Sequence, residues 1–173
     1  MYMAGNRGFT VIEILVTLSV ASILLAMAAP SYRTLVQDSQ LIAQSNNFFS
    51  AMMLAKSEAI KRSSPTTICP STNGTACAGV TAWTSGWLVF ADANNDGTVD
   101  AGEEIIRVGS ALSGQSTLTS GNRTRVTFAA SGFTFGFNDT FSLCDSRGVE
   151  MSRRLTLSNQ GRLRTDKGGG TCA

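Results

Sequence analysis

The chain has 173 residues with 14 Lys and Arg against 12 Asp and Glu, a formal net charge of +2. That length suits one domain with its own core, and the near-neutral balance alone does not signal a nucleic-acid binder. With no histidine at all, Ser-His-Asp and Cys-His catalysis and every histidine-containing zinc site are excluded, and the chain reads as non-enzymatic.

Phe9 to Ala29 form an apolar run ahead of Pro30, interrupted near its start by a single acid, Glu13. As a helix at about 1.5 Å per residue the run is on the order of 30 Å long and can span a membrane. A charge inside such a span costs about 2.5 to 3.5 kcal/mol on insertion scales, so a partner for Glu13 is expected. A cleaved secretory signal with Ala26-Met27-Ala28 as its processing site, or a plain membrane anchor, would account for the apolar run. Neither accounts for the glutamate.

From Tyr32 to Arg62 there is no Gly or Pro, and Leu35, Leu41, Ile42, Phe48, Phe49, Met52, Met53, Ala55, Ala59 and Ile60 recur near helical spacing. This predicts an amphipathic continuation of one long helix, kinked at Pro30 and stopped by Ser63-Ser64-Pro65. Short strands are expected after it, at Thr66–Cys69, Trp87–Ala91, Ile105–Gly109, Arg125–Ala129, Phe133–Phe137, Phe141–Cys144, Arg154–Leu157 and Arg162–Thr165. Gly132 and Gly161 mark two hairpin turns. The fold class is α+β, a long helix on antiparallel sheet, with strands in one or two sheets.

The cysteines, Cys69, Cys77, Cys144 and Cys172, contain no C-x-x-C pair. An even count in an exported chain suggests two disulfides out of three possible connectivities. Cys69 with Cys77 and Cys144 with Cys172 is the favoured pairing; free structural cysteines are the alternative.

Asp92 to Glu103 fits the spacing of a calcium loop: Asp92, Asn94 and Asp96 alternate, Gly97 turns, the Thr98 carbonyl follows, Asp100 acts through water and Glu103 closes. Calcium is thus a possible cofactor. The flanking segments read as strands rather than EF-hand helices, and an Asn/Asp/Gly-rich turn selects the same residues. Basic residues crowd the last third, where Arg162, Arg164 and Lys167 stand out. On one strand Arg162 and Arg164 would share a face about 7 Å apart and could touch successive phosphates. A solvated face paired with Asp166 or Asp145 is the alternative.

Gly8-Phe9-Thr10-x-x-Glu13 and the apolar run resemble the class III signal of type IV pilins and pseudopilins. Leu54 to Arg62, Gly86-Trp87-Leu88-Val89-Phe90, Phe141-Ser142-Leu143-Cys144 and Gly161-Arg162, in that order, resemble the GspH/FimT family of minor pilins and pseudopilins. The resemblance implies a leader, residues 1–8, cut after Gly8 by prepilin peptidase with methylation of the new Phe9 amine. It further implies a transmembrane and filament-core helix over 9–29 and a periplasmic globular domain over 30–173. In that setting Glu13 pairs with the Phe9 amine of its own chain or of a neighbouring subunit. Other major and minor pilins are the implied partners, with single-pass residence in the inner membrane before assembly and exposure at a pilus tip afterwards. The implied role is to initiate or cap a type IV pilus; a minor pseudopilin of type II secretion is the alternative. Gly161-Arg162-Leu163-Arg164 has the form of the element that implies DNA binding in transformation by FimT-like minor pilins.

Overall fold

The computed structural model describes residues 8–172. Residues 1–7 of the expected leader, and Ala173, lie outside the described residues. One helix, α1 (Val11–Arg62), contains Pro30 and runs through it. The chain divides into two compact units, one up to Ser39 and one from Gln40 onward.

In the first unit α1 starts as its sequence dictates. Thr10 is the N-cap: its hydroxyl oxygen accepts the Glu13 N–H at 3.3 Å and its carbonyl accepts the Ile14 N–H at 3.3 Å. A hydroxyl at this position satisfies one of the helix's orphan donors, and the acid at the third helical position lies where the macrodipole favours negative charge. The apolar side chains from Val11 to Leu25 are all exposed. The hydroxyls among them bond back to α1, as Thr17 to the Ile14 carbonyl at 2.9 Å and Ser19 to the Leu15 carbonyl at 2.7 Å. The segment thus presents hydrocarbon on every side, with its polar groups satisfied internally, as a membrane-spanning helix must. Within 8–29 the residues before Val11 are not helical, so Phe9 precedes the first turn rather than lying in it.

In the second unit Leu41, Gln44, Ser45, Phe48, Ala51, Met52, Ala55 and Ala59 are buried. Their three-and-four spacing makes one continuous stripe. The end of α1 is a Schellman cap: Ser63 takes a left-handed φ of 51°, its N–H donates to the Ile60 carbonyl, and the Ser64 N–H donates to the Ala59 carbonyl. That closes the terminal carbonyls, and Pro65 cannot resume the helix.

Two four-stranded antiparallel sheets follow. The first comprises β1 (Thr66–Pro70), β2 (Trp87–Ala91), β3 (Ile105–Gly109) and β5 (Val126–Phe128) in the order β3-β2-β1-β5. The second comprises β4 (Thr117–Ser120), β6 (Asp139–Cys144), β7 (Arg153–Leu157) and β8 (Leu163–Lys167) in the order β4-β6-β7-β8. Ile68, Trp87, Val89, Val126 and Phe128 from the first sheet, and Leu118, Phe141, Leu143, Leu155 and Leu157 from the second, join the helix stripe in one core. Phe48 is its centre, with the rings of Trp83, Trp87 and Phe141 at 5.5, 5.2 and 5.1 Å. The Trp87 indole lies flat against the backbone of Gly109, its register partner, where any Cβ would collide with the ring.

The first sheet is covered on its other face as well. Cys69, Leu88 and Phe90 form a satellite core with Cys77, Val99 and Ile105, which is why β2 reads as an unbroken apolar run rather than an alternating one. Cys69 is bonded to Cys77 and Cys144 to Cys172.

Two strand expectations change. Thr117–Ser120 is a strand the sequence reading lacks, and Phe133–Phe137 is a loop rather than a strand. The alternating Phe-Thr-Phe-Gly-Phe pattern imitates a strand, but Gly136 takes a φ of 77° and the Phe137 N–H closes a turn onto the Thr134 carbonyl at 2.9 Å. The Gly132 turn therefore joins β5 to this loop, whereas the Gly161 turn does join two strands, β7 and β8.

Candidate functional site

At the N-terminal end, Gly8 is exposed, Phe9 is 80% exposed, and the Glu13 carboxylate forms no ion pair with any described residue. The cut expected after Gly8 falls in accessible, non-helical chain. It would place a new amine just before the helix cap, near an acid that forms no ion pair among the described residues.

The acidic loop is held by a set of short-range hydrogen bonds among the residues its spacing singles out. Asp92 is fully buried, and its Oδ2 accepts the Thr67 hydroxyl at 2.6 Å and the Gly97 N–H at 3.1 Å. Asp96 Oδ1 accepts the Thr98 N–H and hydroxyl, while Glu103 accepts the N–H groups of Ala93 and Asp100. The Asn94 amide donates to both Asp96 and Asp100. These bonds, the Thr98 backbone N–H first, hold the Asp96 carboxyl below the usual carboxylate range. Among the described residues no three His, Cys, Asp or Glu side chains come together so as to hold a metal ion. As folded, the loop holds most of its side-chain oxygens in hydrogen bonds to its own backbone and side chains and to Thr67, leaves the buried Asp92 Oδ1 without a hydrogen-bond partner, and packs its Val99 on the satellite core.

The basic residues sort by strand alternation. In β8 and the residue before it, Arg162, Arg164 and Asp166 point one way and Leu163, Thr165 and Lys167 the other. Cross-strand register sets Arg164 opposite Thr156 and Asp166 opposite Arg154. The outward face therefore carries Arg154, Arg162 and Arg164 against one acid, Asp166. Arg164 Nε lies 3.0 Å and Arg154 Nη2 3.6 Å from Asp166 Oδ2, while Arg162 forms no ion pair among the described residues. Lys167 is exposed at the end of β8 and sits opposite Arg153 on the other face, where Arg153 and Thr165 line a groove with Ile42, Ser45 and Asn46 of α1. Arg154, whose facing the sequence leaves open, lies on the same face as Arg162 and Arg164. Asp145 is engaged elsewhere, in a forked pair with Arg147 at 2.8 to 3.3 Å.

The turn that presents Arg162 is fixed from two sides. Lys56 of α1 donates to the Gly161 carbonyl at 3.0 Å. Gly161 itself has a φ of 67° and lies so close to the Gly132 carbonyl that a methyl group would collide with it. Glycine is needed there on both counts. Thr156, Ser158, Arg162 and Arg164 line a shallow groove on the outward face.

A family profile described as Type II transport protein GspH matches residues 44–161, and one described as Prokaryotic N-terminal methylation motif matches residues 3–29. Comparison with curated proteins finds no match. Among solved structures, the type IV minor pilin FimU of Pseudomonas aeruginosa is similar at 18% identity and a TM-score of 0.63, over 76% of this chain and 92% of that one. A second crystal form of FimU gives 21% identity and a TM-score of 0.54, over 72% and 89%. The minor pseudopilin EpsH of the Vibrio cholerae type 2 secretion system gives 14% and 0.53, over 74% and 97%. At these identities the likenesses concern the fold; the profile spans most of the chain, and the methylation motif extends into the exposed apolar start of α1. The chain belongs to the GspH family of minor pilins and pseudopilins.

Proposed function

We propose that this protein is a minor type IV pilin that enters a filament through residues 9–29 and helps to initiate or cap it. The observation that carries the reading is an acid without an ion pair among the described residues, at the start of the exposed, predominantly apolar first part of α1. Once prepilin peptidase cuts after Gly8, the Phe9 amine of the same chain or of the subunit ahead is the counter-charge for Glu13. In apolar surroundings that attraction is strong, and because it is greatest at contact it favours one register of a subunit against the next. The test is Glu13→Ala in cells: the globular unit is expected to fold and both disulfides to form, while the amount recovered in sheared filaments falls at least tenfold. Normal incorporation refutes the role.

A second reading concerns the outward face of β7 and β8. Three arginines against one aspartate, with Arg162 unpaired among the described residues, favour a polyanion, and DNA taken up in transformation is the candidate. Binding through two or three phosphates gives log affinity falling with log salt at a slope of about −2 to −3. Arg162→Ala with Arg164→Ala should abolish most of that slope; an affinity indifferent to both salt and the substitutions removes the reading. The likeness to EpsH favours instead a minor pseudopilin of type II secretion. Deletion separates them, since loss of pili or of DNA uptake follows from the first two readings and loss of secretion from the third.

A further inference from the structure

The inner face of β7 and β8 changes character along its length. Leu155, Leu157 and Leu163 pack with the α1 stripe in the core. Two residues on, the same face carries Arg153 in β7 and Thr165 in β8, with Lys167 opposite Arg153. Arg153 and Thr165 form, with Ile42, Ser45 and Asn46 of α1, a groove of about 110 Å³. Sites for whole small molecules run to about 300–1,000 Å³. This groove has room for the head of one side chain.

Its polar lining is unsatisfied. Ser45 is 2% exposed and its hydroxyl has no hydrogen-bond partner, whereas Ser39 and Ser57 bond back to α1 carbonyls at 2.8 and 2.9 Å. The Arg153 Nε is buried and also without a partner, and its guanidinium forms no ion pair among the described residues. Arg154 and Arg164, on the opposite face, share Asp166. No residue lining the groove is acidic. A buried donor left unpaired is costly, and a half-buried cation without a counter-charge is more so. A carboxylate answers both needs, since a guanidinium takes its two oxygens side by side while a hydroxyl donates to either.

The position of the groove points to the source of that carboxylate. Ile42 and Ser45 lie within two turns of Gln40, where α1 enters the globular unit. A subunit that starts or caps a filament is followed by subunits drawn from the membrane, and they meet it at that end. We infer that the Arg153–Ser45 groove is a socket for an acidic side chain, Asp or Glu, of the adjoining filament subunit. This rests on the minor-pilin reading and names a surface by which the globular unit, as distinct from residues 9–29, engages its neighbour.

The test uses the full chain in cells. Arg153→Glu should lower the amount recovered in sheared filaments by roughly tenfold or more, the size of one lost charge-assisted bond, while Arg153→Lys incorporates normally. Arg153→Lys also supplies an amine. Treating its intact filaments with a water-soluble carbodiimide should join position 153 to an Asp or Glu of another subunit, located by mass spectrometry of the linked peptides. An unchanged melting temperature in Arg153→Glu excludes misfolding as the cause of its loss. Normal incorporation of Arg153→Glu overturns the socket, as does a position 153 that links only within its own chain or to nothing. Normal incorporation with weakened DNA binding would assign Arg153 to nucleic acid and overturn it as well. If Glu13→Ala also incorporates normally, the minor-pilin reading fails with the socket; if Glu13→Ala is lost from filaments and Arg153→Glu is not, the socket fails alone.

Discussion

Removing the two disulfides in turn should destabilise the globular unit by different and calculable amounts. Cys69–Cys77 closes a separation of 8 residues and Cys144–Cys172 one of 28. Loop-closure entropy then gives about 2.5 kcal/mol for the first and about 3.6 kcal/mol for the second, a difference of about 1.1 kcal/mol that depends only on the ratio of loop lengths. For a unit of roughly 130 residues the unfolding entropy is about 0.28 kcal/mol/K, so the melting temperature should fall by about 9 °C and about 13 °C respectively. The C-terminal tail keeps other anchors when its sulfur bond is lost: the Gly168 N–H donates to the Ser152 carbonyl, the Gly170 N–H to the Ser152 hydroxyl and the Thr171 N–H to the Ser142 hydroxyl. The native state of the Cys144→Ala, Cys172→Ala variant should therefore persist, which lets the unfolded-state contribution be read cleanly. The assay is near-ultraviolet circular dichroism of the full chain in micelles, where Trp83 and Trp87 in the core report the globular unit. A larger loss for the Cys69, Cys77 pair than for the Cys144, Cys172 pair would refute the loop-length argument and shift the weight to strain or packing at β1.

Three further outcomes are expected. Phe48→Ala should cost about 3 to 5 kcal/mol, as for other large-to-small changes at fully buried aromatic sites, and a loss below about 1 kcal/mol in the same melts would mean that Phe48 is not the centre of the core. Burial raises the Asp145 carboxyl, but the side-chain and backbone bonds from Arg147 outweigh it and hold the carboxyl below its ordinary value. A depressed acid supports the fold above its unfolded pKa and loses that support as pH falls through the folded one. The melting temperature should therefore drop on acidification below about pH 4, and by less in Asp145→Asn; identical acid profiles would contradict the pairing. Calcium at about 1 mM, within the range of weak extracellular sites, should leave the melting temperature unchanged, whereas a ligand-linked rise would show that the Asp92–Glu103 carboxylates can leave their backbone donors and turn inward.

The helix and its burial stripe were legible because three-and-four spacing has one structural meaning, and Glu13 stood out because charge in an apolar run is costly. Strand β4 was not legible. Thr-Leu-Thr-Ser offers one apolar side chain, and the strand exists because β6 pairs with it from Phe141 to Cys144. Phe133 to Phe137 misled for the opposite reason, since a period-two pattern fits any chain held with alternate side chains in and out, and here side-chain bonds to the β7–β8 turn impose it. Spacing located the acidic loop but could not say whether its oxygens face an ion or their own backbone. The two arginines of Gly161-Arg162-Leu163-Arg164 were placed correctly on one face by alternation alone. The same alternation, carried three residues on, would have separated Lys167 from them.

Strand β8 ends the second sheet, with β7 as its one strand partner. Of its exposed positions Arg164 and Lys167 are charged, and Asp166 stands half-covered between them. An open edge of backbone donors and acceptors is a template on which another chain can add a strand, and alternating charges along it are among the ways proteins prevent that. The charges on this edge would then guard against strand addition, and replacing Arg164 and Asp166 with threonine and valine would turn a defended border into an adhesive one.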